Sequence, residues 1–461
     1  MNFFHSWKRK TEAYKAGVVH ATLDPEGPGV VRMHLIPPKP LIFKDPPSLL
    51  ILNGSYFLPV GPSWSAILRE LFKVLNDVCA DKLTLTNEEI AEVERQVGQN
   101  VGKLYPGVTR DRIINDMREI LTIAVNVATG QPVPKGLSQG MDLNAMRSFM
   151  TAPHRMDLIV APMSVGSVRE CPLECACCYA SAGSVMDVAA PLSTQTWKKI
   201  IDKCKAAGIP MLTFTGGEPL SRSDLPELVD YAKWFVTRVN TSGILLTPEM
   251  AKALRQASLD GIQITLYSEN SAIHDALTGR AKSWDGSVKG IRNALASDLS
   301  VSINTPLMEL NRHYEKTLRF LHSEGVQYVN CSSLIPAGGA KDQIKTGNAL
   351  TKEQLSNILS DAVALCRELK MELSYTSPGW LSSEELIKIG ILTAPLCGAC
   401  LSNMAVSPSG KVVPCQSWLS GETLGDMIED RWESVWQNPL CVKIRKEMAA
   451  KPNCGLKEMK I

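Results

Sequence analysis

The chain has 461 residues, 49 Lys plus Arg against 47 Asp plus Glu, 44% apolar residues and 13 cysteines. At about 100–200 residues per domain this length predicts two to four domains, and a formal charge of +2 leaves no one-sign field with which to hold nucleic acid or an anionic membrane. No stretch approaches a membrane-spanning apolar run, and the charge at Lys8-Arg9-Lys10 follows a short apolar patch, the reverse of a secretory signal, so the sequence predicts a cytoplasmic protein whose cysteines bind metal instead of pairing as disulfides. Residues 1–150 begin with prolines (Pro37, Pro38, Pro40, Pro46, Pro47) and short β-like runs at Leu41 to Phe43, Leu49 to Leu52 and Tyr56 to Val60. Three helices are predicted after these strands. They run from Ser63 to Val78, from the capping-box spacing Thr86-Asn87-Glu88-Glu89, and from Thr109 to Gly130 before Pro132 and Pro134. A strand pair with three helices suggests a small winged-helix-like α+β domain, or a structural cap on the rest of the chain.

From about 151 to 376 strands and helices alternate. Strand-like runs at Leu158 to Val160, Met211 to Phe214, Thr237 to Asn240, Ile262 to Leu266, Val301 to Asn304 and Tyr328 to Cys331 alternate with helices at Thr194 to Ala207, Leu225 to Phe235, Pro248 to Ser258, Trp284 to Ala296, Tyr314 to Glu324 and Lys352 to Leu369. Six βα units predict an α/β fold with a parallel sheet, most simply an open or partial barrel, with its chemistry at the carboxyl ends of the strands. After the first strand comes Cys171-Pro172-Leu173-Glu174-Cys175-Ala176-Cys177-Cys178-Tyr179. Cys171, Cys175 and Cys178 have the spacing C-x3-C-x2-C, which suits three corners of a cubane 4Fe-4S cluster with one iron left open; structural zinc would want a fourth ligand, and no His is near. Cys177 is the spare thiol. The second strand ends in Thr215-Gly216-Gly217-Glu218-Pro219, where Gly216 and Gly217 let a ligand approach the backbone and Glu218 can accept from an ammonium group.

The C-x3-C-x2-C-Tyr loop after strand one and Gly-Gly-Glu-Pro after strand two together resemble the radical S-adenosylmethionine (radical SAM) superfamily. The resemblance implies a partial (β/α)6 barrel in which Cys171, Cys175 and Cys178 hold the cluster. Its open iron would chelate the amino and carboxylate groups of S-adenosylmethionine, and an electron entering the sulfonium would release a 5'-deoxyadenosyl radical. Thr241-Ser242-Gly243, Gln263-Ile264-Thr265-Leu266-Tyr267-Ser268 and His274-Asp275-Ala276-Leu277-Thr278-Gly279-Arg280 are similar to later motifs of the family. On that basis Thr265 and Arg280 are candidates for the methionyl carboxylate, and Ser242 and Asn304 for the ribose or methionyl part. Strand-end capping is the structural alternative for Ser242, Thr265 and Asn304. Tyr267 departs from the acidic residue common in the peptide-modifying branch.

Residues 377–461 carry Cys397-Gly398-Ala399-Cys400 and then Ser407-Pro408-Ser409-Gly410 leading to Cys415, so that a turn at Gly410 would return the chain with Cys415 beside Cys397 and Cys400. Cys441 and Cys454 lie further on. This stretch resembles a SPASM domain in its shortened, single-cluster (twitch) form. The implied ligands of a second, auxiliary 4Fe-4S cluster are Cys397, Cys400, Cys415 and Cys454, with Cys441 an alternative fourth and a four-cysteine zinc site the other metal reading. Cys79, Cys204, Cys331 and Cys366 read as core residues, and the seven histidines show no ligand spacing. The first 150 residues are similar to the leader-binding domains of radical SAM maturases, which add an extended peptide to a sheet edge. The expected function is therefore modification of a ribosomal peptide that carries a leader, supplied with electrons by a flavodoxin or ferredoxin. An enzyme of small molecules and a non-catalytic zinc-stapled protein are the alternatives.

Overall fold

The computed structural model describes residues 19–23, 31–36, 48–52, 56–78, 86–128, 150–182, 184–392, 394–450 and 453–458. They form two compact units, Met1–Thr151 and Ala152–Ile461. Among the described residues no helix is long and apolar enough to cross a membrane.

The first unit is a four-stranded antiparallel sheet, β1 (Val19–Leu23), β2 (Val31–Ile36), β3 (Ser48–Leu52) and β4 (Tyr56–Val60), in that spatial order, followed by α1 (Pro62–Val78), α2 (Asn87–Leu104) and α3 (Arg110–Ala128). The expected strand pair is thus the second half of a four-stranded sheet, and the run Leu41 to Phe43 lies outside the described residues. Met33, Leu50, Leu52, Leu68, Phe72, Val97 and Ile120 meet in one core between sheet and helices. Pro62 opens α1, where its fixed φ is already helical and its missing N–H is not needed. The Thr86–Glu89 capping box closes both ways, with Glu89 N donating to Thr86 Oγ1 at 3.3 Å and Thr86 N to Glu89 Oε2 at 2.9 Å.

The second unit is built on a ten-stranded sheet. The six predicted parallel strands are β5 (Arg155–Ala161), β6 (Met211–Gly216), β7 (Val236–Thr241), β8 (Gly261–Thr265), β9 (Val301–Pro306) and β10 (Tyr328–Ser332). Neighbours pair in register, for example Asn240 with Gln263 and Thr265 with Asn304. Two additions extend the sheet. Beyond β10 a short parallel strand, β11 (Glu372–Tyr375), is added, and beyond β5 the carboxy-terminal region contributes β12 (Asn403–Val406), β13 (Lys411–Val413) and β14 (Gly425–Asp426). The helices between strands are α4 (Thr194–Ala206), α5 (Leu225–Tyr231), α6 (Pro248–Gln256), α7 (Ser271–Thr278), α8 (Ser283–Ala296), α9 (Tyr314–Ser323), α10 (Gly339–Lys345) and α11 (Lys352–Leu369). The tail adds α12 (Ser383–Lys388), α13 (Trp432–Trp436), α14 (Pro439–Ala450) and α15 (Gly455–Glu458).

Strand alternation sets where the site must be. On β7 to β10 the fully buried aliphatic positions are Val239, Ile262, Ile264, Ile303 and Val329, with Thr237, Thr305 and Cys331 buried on the same face, while Asn240, Gln263, Thr265, Ser302, Asn304 and Asn330 alternate with them and stay half-buried. Because successive side chains on a strand take opposite faces, the apolar set packs under the helices and the polar set shares the other face. Each fully buried large side chain, such as Trp197 or Phe214, contributes about 1.5–3 kcal/mol of burial to this frame. Cys204, Cys331 and Cys366 are buried, as expected of core thiols, and Cys79 lies outside the described residues.

Candidate active site and auxiliary cluster site

The loop after β5 is gripped through its backbone. Glu174 N and Ala176 N donate to the Thr278 and Leu277 carbonyls at the end of α7 (2.9 and 2.8 Å), and Gly339 N at the start of α10 donates to the Cys178 carbonyl (3.0 Å). The exposed Arg280 gives its guanidinium to the Pro172 carbonyl at 3.1 Å, so in this structure it braces the cysteine loop. The loop's thiols divide. Cys171, Cys175 and Cys178 share an apolar pocket with Ile159, Met163, Leu173, Met186 and Tyr179. Cys177 packs only against the neighbouring apolar group of Tyr267, Leu277 and Met308, which Cys175 also borders, and its sulfur is 3.3 Å from the Tyr267 hydroxyl. Burial pushes the Cys171 and Cys177 thiols up to about 11 and raises Cys175 and Cys178 as well. Thiolates in such a pocket need nearby positive charge, which iron supplies.

Gly216 and Gly217 bring the end of β6 against this loop. A Cβ at Gly216, whose φ is +148°, would lie 2.2 Å from the Ala161 carbonyl oxygen, and one at Gly217 would lie 2.7 Å from the Pro162 oxygen and 3.0 Å from Cys171 Cβ. No side chain fits there. Glu218 is buried and its carboxylate is engaged inside the chain. Oε1 accepts from Leu220 N (3.1 Å) and Thr241 Oγ1 (2.5 Å), and Oε2 accepts from Ser242 N (2.9 Å) and the Ser242 hydroxyl. These four bonds use the acceptor sites of a carboxylate. In this geometry Glu218 and Ser242 tie the end of β7 to the glycine turn. Thr265 and Asn304 are register partners on β8 and β9, half-buried on the polar face.

Behind Tyr267 stands a buried histidine. Tyr267 N donates to His274 Nδ1 at 3.2 Å, and burial pulls the imidazole down to about 4, so it is neutral at ordinary pH. Asp275 caps α8 by accepting from Lys282 N, Ser283 Oγ and Trp284 N (2.6, 2.9 and 2.8 Å).

The tail gathers five thiols from four segments. The turn at Ser407–Gly410 folds β13 back along β12, and Cys400 N donates to the Pro414 carbonyl at 3.1 Å, which sets Cys415 next to the Cys397–Cys400 turn. Within this group Cys397 hydrogen-bonds Cys454 and Cys400 hydrogen-bonds Cys441; the S–H of one member lowers the pKa of Cys397 and Cys441 and raises that of their partners. Burial, and after it the neighbouring Cys397, raise the Cys415 thiol. Among the described residues no three Cys, His, Asp or Glu side chains close on one point as around a single ion. A cubane distributes its thiolates over separate irons and asks for a wider group.

Two family models match the chain: residues 166–321 match the radical SAM superfamily, and residues 397–456 match SPASM, an iron-sulfur cluster-binding domain. The chain is a radical SAM superfamily enzyme with a C-terminal SPASM domain. Its cofactors are the radical SAM 4Fe-4S cluster, S-adenosylmethionine and an auxiliary iron-sulfur cluster. An AdoMet-dependent heme synthase of Methanosarcina barkeri (strain Fusaro / DSM 804) is 28% identical over 307 residues, 63% of this chain and 86% of that protein. A PqqA peptide cyclase of Granulibacter bethesdensis (strain ATCC BAA-1260 / CGDNIH1) is 25% identical over 280 residues, 57% of this chain and 70% of that protein. Among solved structures, Streptococcus suis SuiB bound to precursor peptide SuiA has the same fold at TM-score 0.58 and 12% identity, covering 93% of this chain and 89% of that one.

The donor set suits these groups: three thiols on one backbone-gripped loop in an apolar pocket, and a second thiol group drawn around Cys415. Sequence reasoning missed the polar row of Asn240, Gln263, Ser302 and Asn330, in which Asn330 Nδ2 donates to Gln263 Oε1 at 3.2 Å. Its only sequence signal is the period-two alternation.

Proposed function

We propose that this radical SAM enzyme is a maturase that abstracts a hydrogen atom from a residue of a ribosomally made peptide and installs a crosslink or other oxidation. The observation that carries this reading is the first unit. An antiparallel sheet with β1 and β4 at its two edges, backed by three helices, is the kind of surface to which an extended peptide adds as a strand. The likeness to peptide-bound SuiB extends over 93% of the chain, a share that a match to the core and tail alone would not reach. In this reading Cys171, Cys175 and Cys178 hold the radical SAM cluster, whose chemistry with S-adenosylmethionine supplies the 5'-deoxyadenosyl radical. Cys397, Cys400, Cys415 and Cys454 hold the auxiliary cluster, an electron acceptor for the substrate radical.

The chain's own residues position and exclude. Gly216 and Gly217 let the edge of β6 meet the cysteine loop. Glu218 fixes Thr241 and Ser242, while Thr265 and Asn304 offer adjacent hydrogen-bonding groups to the methionyl and ribose parts. Arg280 steadies the loop through the Pro172 carbonyl. For a crosslink the substrate loses two hydrogens: one atom to 5'-deoxyadenosine, and one proton to solvent with its electron passing to the auxiliary site. A flavodoxin or ferredoxin would supply the electron that starts each turnover.

A second reading, a small-molecule substrate, is favoured by the heme synthase likeness, which spans 86% of that relative. The test uses the full-length reduced enzyme, S-adenosylmethionine and the short peptide encoded beside its gene, read by mass spectrometry. Loss of hydrogen from the peptide, coupled to 5'-deoxyadenosine, is expected. An unchanged peptide together with turnover of a heme-precursor small molecule would overturn the peptide reading.

A further inference from the structure

Arg445 lies one helical turn after Cys441 on α14, on the same face. Its side chain is buried, 8% of the residue remaining exposed, and its guanidinium stacks 3.4 Å over the ring of Trp436. Nε donates to the Cys400 carbonyl at 2.8 Å, and one terminal nitrogen donates both to the Trp436 carbonyl (2.6 Å) and to the Cys441 sulfur (3.2 Å). Two features of this arrangement call for a reason. No carboxylate pairs with the guanidinium among the described residues, although a buried cation without an anion is strongly unfavourable. Cys400, which the guanidinium holds by its carbonyl, has a φ of +57°, a left-handed conformation that a side-chain-bearing residue keeps only when its surroundings impose it.

Both features are accounted for once negative charge resides at the thiol group. A cluster held by thiolates is net negative and gains a further negative charge on reduction. Arg445 touches that region twice, at Cys400 and at Cys441, and its planar fork and its stacking on Trp436 fix the geometry in a way that a lysine ammonium would not. We propose that Arg445 is a positioning residue of the auxiliary iron-sulfur site: it holds Cys400 in its turn and, as a buried positive charge, raises the reduction potential of the cluster that Cys400 binds. This rests on the reading of Cys400 as a ligand. A cation favours the reduced, more negative state, so Arg445 makes the auxiliary cluster a better acceptor for an electron leaving the substrate radical. Cys441 is then an outer partner of Cys400, tethered by Arg445.

The test is an anaerobic redox titration of the full-length, iron-loaded protein, following each cluster by its electron paramagnetic resonance signal, with iron counted per chain. Arg445→Gln is expected to keep its iron, to shift the auxiliary midpoint to a more negative potential and to leave the radical SAM cluster unmoved. Arg445→Lys, which keeps the charge but not the fork, should fall between it and the wild type. An unchanged auxiliary midpoint in a fully loaded Arg445→Gln protein overturns the proposal. Loss of about four irons, one cubane's worth, from both variants also overturns it, because the role is then structural alone. Cys400→Ala separates the underlying assumption: if it keeps all its iron, Cys400 is not a ligand, and a midpoint shift in Arg445→Gln would then support the charge effect through Cys441 only.

Discussion

The two cysteine groups of this enzyme differ in how much of the chain each draws on. The loop of residues 171–178 carries its three cluster thiols on one short segment, and the fold holds that segment by its peptide groups, through the Thr278 and Leu277 carbonyls and the Gly339 N–H. The tail collects five thiols from the Cys397–Cys400 turn, the end of a hairpin, the helix α14 and the segment before α15, and it fixes Cys400 both through the Pro414 carbonyl and through the buried side chain of Arg445, which also reaches the Cys441 sulfur. A local site can be read from spacing. A site assembled from distant segments can be read only in part, and it depends more on the metal to organise it.

The sharpest break between the two groups comes from the loop itself. Cys171→Ala, Cys175→Ala and Cys178→Ala should each abolish formation of 5'-deoxyadenosine by the reduced enzyme, whereas Cys177→Ala, whose sulfur faces Tyr267, should retain it. Chromatography of the reaction mixture decides, and an inactive Cys177→Ala beside an active Cys178→Ala would reverse the assignment. Cys415→Ala should remove about four irons and stop product formation, yet still release some uncoupled 5'-deoxyadenosine. Circular dichroism separates this from collapse of the fold, and a folded variant with half the iron that still makes normal product would refute a catalytic role for the auxiliary site.

Within the tail, Cys454→Ala should lose the auxiliary cluster and Cys441→Ala should keep it, since the Cys441 sulfur already accepts from the buried Arg445 guanidinium at 3.2 Å. Iron analysis of the two variants would reverse the assignment if the losses were exchanged.

Smaller effects concern the supports. Glu218→Gln replaces an acceptor of four hydrogen bonds with a group that must turn a donor toward one of the same partners. A loss of about 1–3 kcal/mol of stability is expected, with weaker S-adenosylmethionine binding, by denaturant melts and calorimetry. At neutral pH the smallest effect is that of the buried histidines. Burial lowers both His154, close to the β12 pairing edge, and His274, behind Tyr267, from 6.5 to about 4. The unfolded chain binds these protons first as pH falls, so the stability they contribute is complete above about 6.5 and is lost toward 4, at up to about 1.4 kcal/mol per pH unit for each. Replacing His274 with Asn should flatten the stability profile across that window, and an unaltered acid slope would show that His274 takes up its proton as readily in the fold as in the unfolded chain.

The same contrast explains what could be read in the sequence. The six parallel strands, six of the eight helices between and after them, the Thr86–Glu89 capping box and the return of Cys415 beside Cys400 are encoded in local signals: apolar runs, cap chemistry and a Gly410 turn; the short helices α7 and α10, which grip the cysteine loop, escaped. The strand β11 escaped because Glu372–Tyr375 is short and mostly exposed at an edge, with little apolar signal. β1 and β2 escaped because their alternation is brief and mixed with polar residues such as His20, Thr22, Arg32 and His34. Glu218 was legible as a site residue, but its four internal partners on Leu220, Thr241 and Ser242 were not, since they depend on how the ends of β6 and β7 meet. Arg445 had no signal at all, because a single arginine on an amphipathic helix reads as a solvated charge until the packing shows it buried.

That one chain holds two iron-sulfur clusters on separate cysteine groups is tested most directly by counting iron in anaerobically purified wild-type protein and in a Cys171→Ala, Cys175→Ala, Cys178→Ala triple variant. About eight irons falling to about four is the predicted result, four per cubane. Near-stoichiometric zinc with little iron in the wild type, or a triple variant that keeps all of its iron, would contradict it.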